Sequence, residues 1–153
     1  MHARDEMNRI HRRLIDTLYT EAMLLADEAR GYFDAAGREE RSTLDAITRV
    51  AFSCESLKVT TRLMHVIAWL LTQRAIDCGE LPAREALDPS RRLGEAPESD
   101  ADLTGRMPAQ ARSIIDASID LHRRASHLDR AQAGEVEVES PARAMMARLN
   151  RAF

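Results

Sequence analysis

The residues of this chain best suited to metal binding or proton transfer are its five histidines, His2, His11, His65, His122 and His127. His122 and His127 stand five positions apart, on different faces of a helix and not at the i, i+4 spacing that binds zinc. His65 reads as a solvated or interface residue rather than a general base. Ser53, Ser56, Ser113 and Ser118 fall in the middle of helical patterns, and none lies in a GxSxG turn that would expose a nucleophile. Thr60 and Thr61 are expected to bond backbone carbonyls or to pack. The carboxylates of Glu21, Asp27, Glu28 and Asp34 read as a solvated helix face, without the ExxH pair of a di-iron bundle. No glycine-rich phosphate loop, HExxH or CxxC occurs. The expectation is a chain with no catalytic residues, no metal and no cofactor. An enzyme is the competing class, and it would need a deep pocket with converging titratable groups.

Arginine pairs at Arg12–Arg13, Arg91–Arg92 and Arg123–Arg124 suit phosphate contacts. Acidic residues are interspersed among them, and the whole chain carries a net charge of −3. A polyanion binder normally shows the opposite balance, so surface ion pairs are the expected role. A nucleic-acid-associated regulator is kept as the alternative function; a steep loss of DNA affinity with salt would mark it.

The 153 residues suit one domain, and 44% apolar content is enough for a real core. Aromatics at 4%, with abundant Ala, Leu, Arg and Glu, favour helix. The longest apolar run, Val66 to Leu71, is far short of the roughly 20 residues of a membrane span. MHARDEMNRIHRR carries acids and no apolar stretch, so no secretory signal is read and a cytoplasmic location is expected. Cys54 and Cys78 lie 24 residues apart on one predicted helix. That is roughly 36 Å, too far for a disulfide, and Cys54 is expected in the core.

Periodicity predicts an all-α fold, an antiparallel three-helix bundle over residues 1–130 followed by a tail over 131–153. The first helix should run from Arg9 to Ala36, with Leu14, Leu18, Ala22, Leu25, Ala29, Tyr32 and Ala36 as its core stripe and Gly37 as its stop. The second should run from Ser42, as N-cap, to Cys78. From 80 to 107 a long loop holds Pro82, Pro89 and Pro97, with one helical turn at Ala83–Leu87. The third should begin at Pro108 and end near Arg130, with Ala111, Ile114, Ser118, Leu121, Ala125 and Leu128 inward. EVEVE, at 135–139, alternates like a strand without a partner. Ser140 and Pro141 can start a short tail helix.

The second helix carries two apolar stripes about 150° apart on a wheel of about 100° per residue. One is Val50, Cys54, Leu57, Thr61, Met64, Ala68, Leu71 and Ala75; the other is Phe52, Val59, Leu63, Val66 and Leu70. A helix with two apolar faces touches more than one neighbour. A homodimer is the expected cover for the second face, and the long loop is the competing one. The polar arc holds Glu55, Lys58, Arg62, His65 and Gln73, with Trp69 close by. Protein-binding candidates are therefore Tyr19, Arg62, His65 and Trp69, chosen for expected exposure. Met145, Met146, Leu149 and Phe153 join them from the tail, where methionine suits an adaptable contact. Docking of the tail onto the bundle is the alternative there.

Two stretches carry a family resemblance. LYTEAMLLADEARGYFD (Leu18–Asp34) and ESLKVTTRLMHVIAWLLTQRAIDCGE (Glu55–Glu80), about 43 of 153 residues, resemble the bacterial regulator of CtrA degradation family. The TTRLM and WLLxQRA cores are the more specific. The resemblance implies a non-enzymatic adaptor built as a dimeric three-helix bundle. It implies as partners the AAA+ unfoldase ClpX of the ClpXP protease, other adaptor proteins and cell-cycle regulators as cargo. It also implies a tail that matters for delivery, although residues 142–153 and the central loop match no motif of the family.

Overall fold

The computed structural model describes residues 2–134 and 141–152, and within them it is all helical. The elements are α1 (His2–Asp34), α2 (Ala36–Ser42), α3 (Ala46–Asp77), a 3-10 turn (Ala83–Leu87), α4 (Ala101–Thr104), α5 (Ala109–Gln132) and α6 (Pro141–Ala152). The EVEVE stretch, Ser140 and Phe153 lie outside the described residues.

Helix α1 starts seven residues before the expected Arg9. Its first turns expose Met7 and Ile10, so no core stripe announced them, while Asp5 suits the positive end of the dipole. Ile15 takes the core place expected of Leu14, which is exposed. Gly37 does not stop the helix. It is buried within α2, where a Cβ would lie 2.8 Å from the Tyr32 carbonyl oxygen, so only glycine lets α2 fold back on α1. Ser42 is not the cap of α3 either. Its hydroxyl donates to the Glu39 carbonyl, and Asp45 caps α3 by accepting from the Thr48 N–H at 2.8 Å. Those Thr48 bonds favour the charged carboxylate and hold the Asp45 pKa below its ordinary value. Gly79, at φ +78°, follows the C-cap of α3 and turns the chain away.

The three long helices α1, α3 and α5 are in mutual contact. Between them lie Leu18, Ala22 and Leu25 of α1, Val59, Leu63 and Leu70 of α3, and Ile114, Leu121 and Ala125 of α5. Tyr32, Phe33 and Phe52 close one end with edge-on ring contacts. Helix direction follows from side-chain pairs. Phe33 meets Phe52, and Asp16 meets Arg74, so α1 and α3 are antiparallel. Glu21 binds Arg124 and His11 meets Gln132, so α1 and α5 are antiparallel too. But Arg62 binds Ser118, Trp69 binds Asp129, and Gln73 binds Gln132. Helices α3 and α5, which follow one another among the long helices, are therefore parallel, which corrects the antiparallel three-helix bundle expected from the sequence. The physical reason is the long connection: a short loop forces antiparallel neighbours, whereas this one has the length to return to the other end before α5 begins.

The glycines test the α1–α2 corner. Gly31→Ala, exposed with open space at its Cβ, should stabilise the chain by about 1 kcal/mol through helix propensity. Gly37→Ala should instead destabilise it by about 1–3 kcal/mol through overpacking against Tyr32. Urea unfolding of the two variants, read by circular dichroism, should move the midpoint in opposite directions.

Candidate functional site

The connection from α3 to α5 defines the site, because it does not lie free. After the 3-10 turn, residues 92–99 run extended along α3 and α5, passing Trp69 first and Glu55 last. Fourteen helical positions separate those two residues, roughly 21 Å, and seven extended residues span about 23 Å. The segment is a strap drawn almost straight.

An extended strap forms no secondary structure of its own, so its backbone groups need partners from the helices beneath it. They find them in the polar arc of α3 and in α5. The Gly94 carbonyl accepts from His122 Nε2 and the Glu95 carbonyl from His65 Nδ1, both at 2.8 Å. Carbonyl acceptors place the proton of each imidazole on the named nitrogen. The Pro97 carbonyl accepts from Arg62 at 2.9 Å and the Glu98 carbonyl from Lys58 at 2.7 Å. Gly94 passes so close to His65 that a Cβ there would stand 2.7 Å from Nδ1.

Arg62 is the centre of this arrangement. Its guanidinium also donates to Ser99 Oγ at 2.6 Å and to Ser118 Oγ at 3.2 Å. Ser99 in turn donates to Glu55, whose other oxygen accepts from Lys58 at 3.1 Å. Burial in this place lowers the Arg62 pKa, and the neighbouring Glu55 carboxylate opposes that shift. At the other end of the strap, Asp129 accepts from the Trp69 indole at 3.2 Å and from Arg92 at 3.0 Å.

Two expectations of exposure are corrected by this geometry. Arg62 is 1% exposed and Trp69 2%, because the strap covers the arc on which they stand. His65 is half-buried for the same reason, and Tyr19 is half-buried with the Arg74 guanidinium 4.4 Å above its ring. The strap thus brings Arg62, His65 and Trp69 onto one face, and Tyr19 lies elsewhere, beside α3 on the α1 side. Met145, Met146 and Leu149 are exposed on α6. Thr60 and Thr61 bond the carbonyls four residues before them, as their positions in the helix predict.

A further correction concerns Cys54, which is exposed rather than in the core. The whole stripe to which it belongs faces outward, with Val50, Leu57, Met64 and Leu71 all exposed. The loop covers the polar arc and not this second apolar face. Beside the stripe a groove of about 380 Å³ runs between α1 and α3, lined by Ala26, Phe33, Leu57, Met64 and Ile67. Two of the three arginine pairs are engaged in ion pairs: Arg91 with Glu85, Arg92 with Asp129, and Arg123 and Arg124 with Asp120. No group of three His, Cys, Asp or Glu side chains able to hold a metal occurs among the described residues. None of the described helices is long and apolar enough to cross a membrane.

A strapped all-helical protein with an outward apolar face is the class these features define, and comparison with known proteins agrees in part. The chain belongs to the family described as a protein of unknown function, DUF1465, which it matches over residues 6–153. It is similar to the crystal structure of RcdA from Caulobacter crescentus CB15, at 33% sequence identity and a TM-score of 0.64. That similarity covers 83% of this chain and 93% of the other, and it places the chain in an RcdA-like family. No match was found among curated proteins.

Arg62→Met tests the strap. The substitution keeps an apolar stem but leaves Ser99, Ser118 and the Pro97 carbonyl without their donor, at a cost of about 3 kcal/mol. Backbone amides of residues 94–104 should exchange with deuterium well before those of α3 and α5. Unchanged protection of that segment would show that Arg62 does not hold it.

Proposed function

We propose that this chain is a non-enzymatic adaptor that helps deliver cell-cycle regulatory proteins to the ClpXP protease. The likeness to RcdA at 33% identity over most of both chains carries the reading. The setting of regulated proteolysis comes with that family resemblance, as do the partners: the unfoldase ClpX, other adaptor proteins and the regulator cargo. The scaffold is a three-helix bundle, with the strap on one side and the outward stripe of α3 on another. Two copies pair through α3, and the protein works in the cytoplasm.

The geometry supports the reading in two ways. Most of the large apolar residues left outside the core stand on α1, α3 and α6, where contact with protein surfaces is favourable. The polar side chains of the arc are occupied in holding the strap, so they act as structure and not as reaction chemistry. An adaptor of this kind works by effective concentration. Two weak contacts on one scaffold exceed either alone by a factor of about 10²–10⁴.

Degradation of a candidate regulator by ClpXP, with the partner adaptors present, tests the proposal. The full chain should accelerate loss of the regulator, and a chain ending at Glu139 should not, because it lacks Met145, Met146 and Leu149. Equal acceleration by both chains would move the required contact from the tail to the bundle. No acceleration by either would refute the adaptor reading.

A further inference from the structure

The strap spends only one edge of its backbone on the helices. The Glu95 and Pro97 carbonyls accept from His65 and Arg62, both carried by α3. A trans peptide sets its N–H opposite its C=O, and no cis bond occurs among the described residues. The N–H groups of Ala96 and Glu98 therefore point away from α3. Successive carbonyls of an extended chain point to alternate sides, so the Ala96 carbonyl points the same way. None of these three groups has a hydrogen-bond partner among the described residues. Pro97 lacks its N–H on the inner side, where it interrupts nothing. The outer side is thus an unpaired strand edge that offers N–H, C=O and N–H in turn.

That edge borders a cleft. Ala96, Pro97 and Glu98 line a space of about 560 Å³ between the strap and α5. The α5 wall carries Arg123, Ser126, His127 and Arg130, the i, i+3, i+4 and i+7 positions of one helix face. Along those positions α5 rises roughly 10 Å, the length of about three extended residues. Ser56, Thr60 and Ser118 each bond a carbonyl one turn back, but Ser126 has no such bond. His127 and Arg130 likewise have no partner among the described residues. Ile119, 40% exposed, adds apolar surface. Glu98 is the one carboxylate among the described lining residues, so cationic groups prevail there.

We infer that this cleft binds an extended acidic segment of a protein partner. The segment pairs with the strap at Ala96–Glu98 and sets its carboxylates against the cations of α5. Backbone pairing supplies affinity that any sequence can use, and the α5 face selects for charge. Both halves of the site are needed to name the ligand. A free oxyanion would satisfy the cations and the N–H groups, but it has no donor for the Ala96 carbonyl. A nucleic acid has the charge without a row of backbone N–H groups. The site goes beyond the adaptor reading and does not rest on it.

A pool of fluorescent six-residue peptides, with acidic and apolar residues alternating, tests the cleft on the full chain by anisotropy. Members of the pool should bind, and counterparts with lysine at the acidic positions should not. Methylating alternate backbone nitrogens of a bound peptide removes the donors from one edge at a time. One methylated form should bind as before and the other about tenfold more weakly. Ala96→Pro removes an N–H that holds nothing within the described chain and suits extended backbone. It should leave the urea midpoint in place and weaken peptide binding about tenfold. Arg130→Glu should also weaken binding with the fold intact, through charge. Binding by no acidic peptide, or equal binding of both methylated forms, would overturn the inference. Displacement by inorganic phosphate at the concentration of the peptide would overturn it too, leaving a site for free oxyanions. None of these readouts involves the protease, so the adaptor reading is decided separately in the degradation assay.

Discussion

The guanidinium of Arg62 binds three separate parts of the chain at once: the Pro97 carbonyl and Ser99 hydroxyl of the strap, and Ser118 of α5, while it is itself carried by α3. Few side chains can do this. Arginine presents five N–H donors in a fixed fork, and its charge persists under burial where a lysine would lose its proton. Glu55 completes the arrangement: it accepts from Ser99 and from Lys58, and its carboxylate favours the charged form of Arg62. Remove the donors and the strap has extended backbone lying on a helix surface with nothing to replace the water it has lost. The parallel α3–α5 pair depends on it in turn, because only a chain led back along α3 can begin α5 at the right end.

The sequence made the helices and most of their inward residues legible, since an apolar stripe repeated at steps of three and four has few other meanings. It could not rank the two stripes of α3. Periodicity counts the faces a helix has to cover, but it does not say what covers each. Phe52, Val59, Leu63, Val66 and Leu70 went inward, while the Val50–Ala75 stripe stayed outside. Composition held a clue: the inward stripe is uniformly large, whereas half of the outward one is Cys, Thr and Ala.

The polar arc was misjudged for a different reason. Polar residues on a helix usually mean solvent, and Arg62 and Trp69 were placed there accordingly. A tryptophan among Glu55, Arg62 and Gln73 makes more sense beneath a backbone that needs donors. The signal was the combination of that arc with a connection of nearly thirty residues containing three prolines, which suits an extended path and little else. Gly94 added to it, being placed where the path crosses His65. Asp129 and Ser118 belonged to the same site, but nothing in their local sequence distinguishes them from ordinary helix-surface residues.

Helix α3 consequently has different surroundings on each of its faces. Its core face holds α1 and α5 by apolar contact, which is nondirectional and tolerates small shifts. Its strap face uses hydrogen bonds, which are directional and fix the strap at named carbonyls. The two together hold α3 in place by different kinds of force, and a rigid helix presents its outward apolar face in one arrangement. An apolar face on a fraying helix would have to order itself on each encounter and would lose affinity to that entropy. The buried polar arc, occupied in holding the strap, is thus what allows the exposed apolar face to stand as a preformed surface.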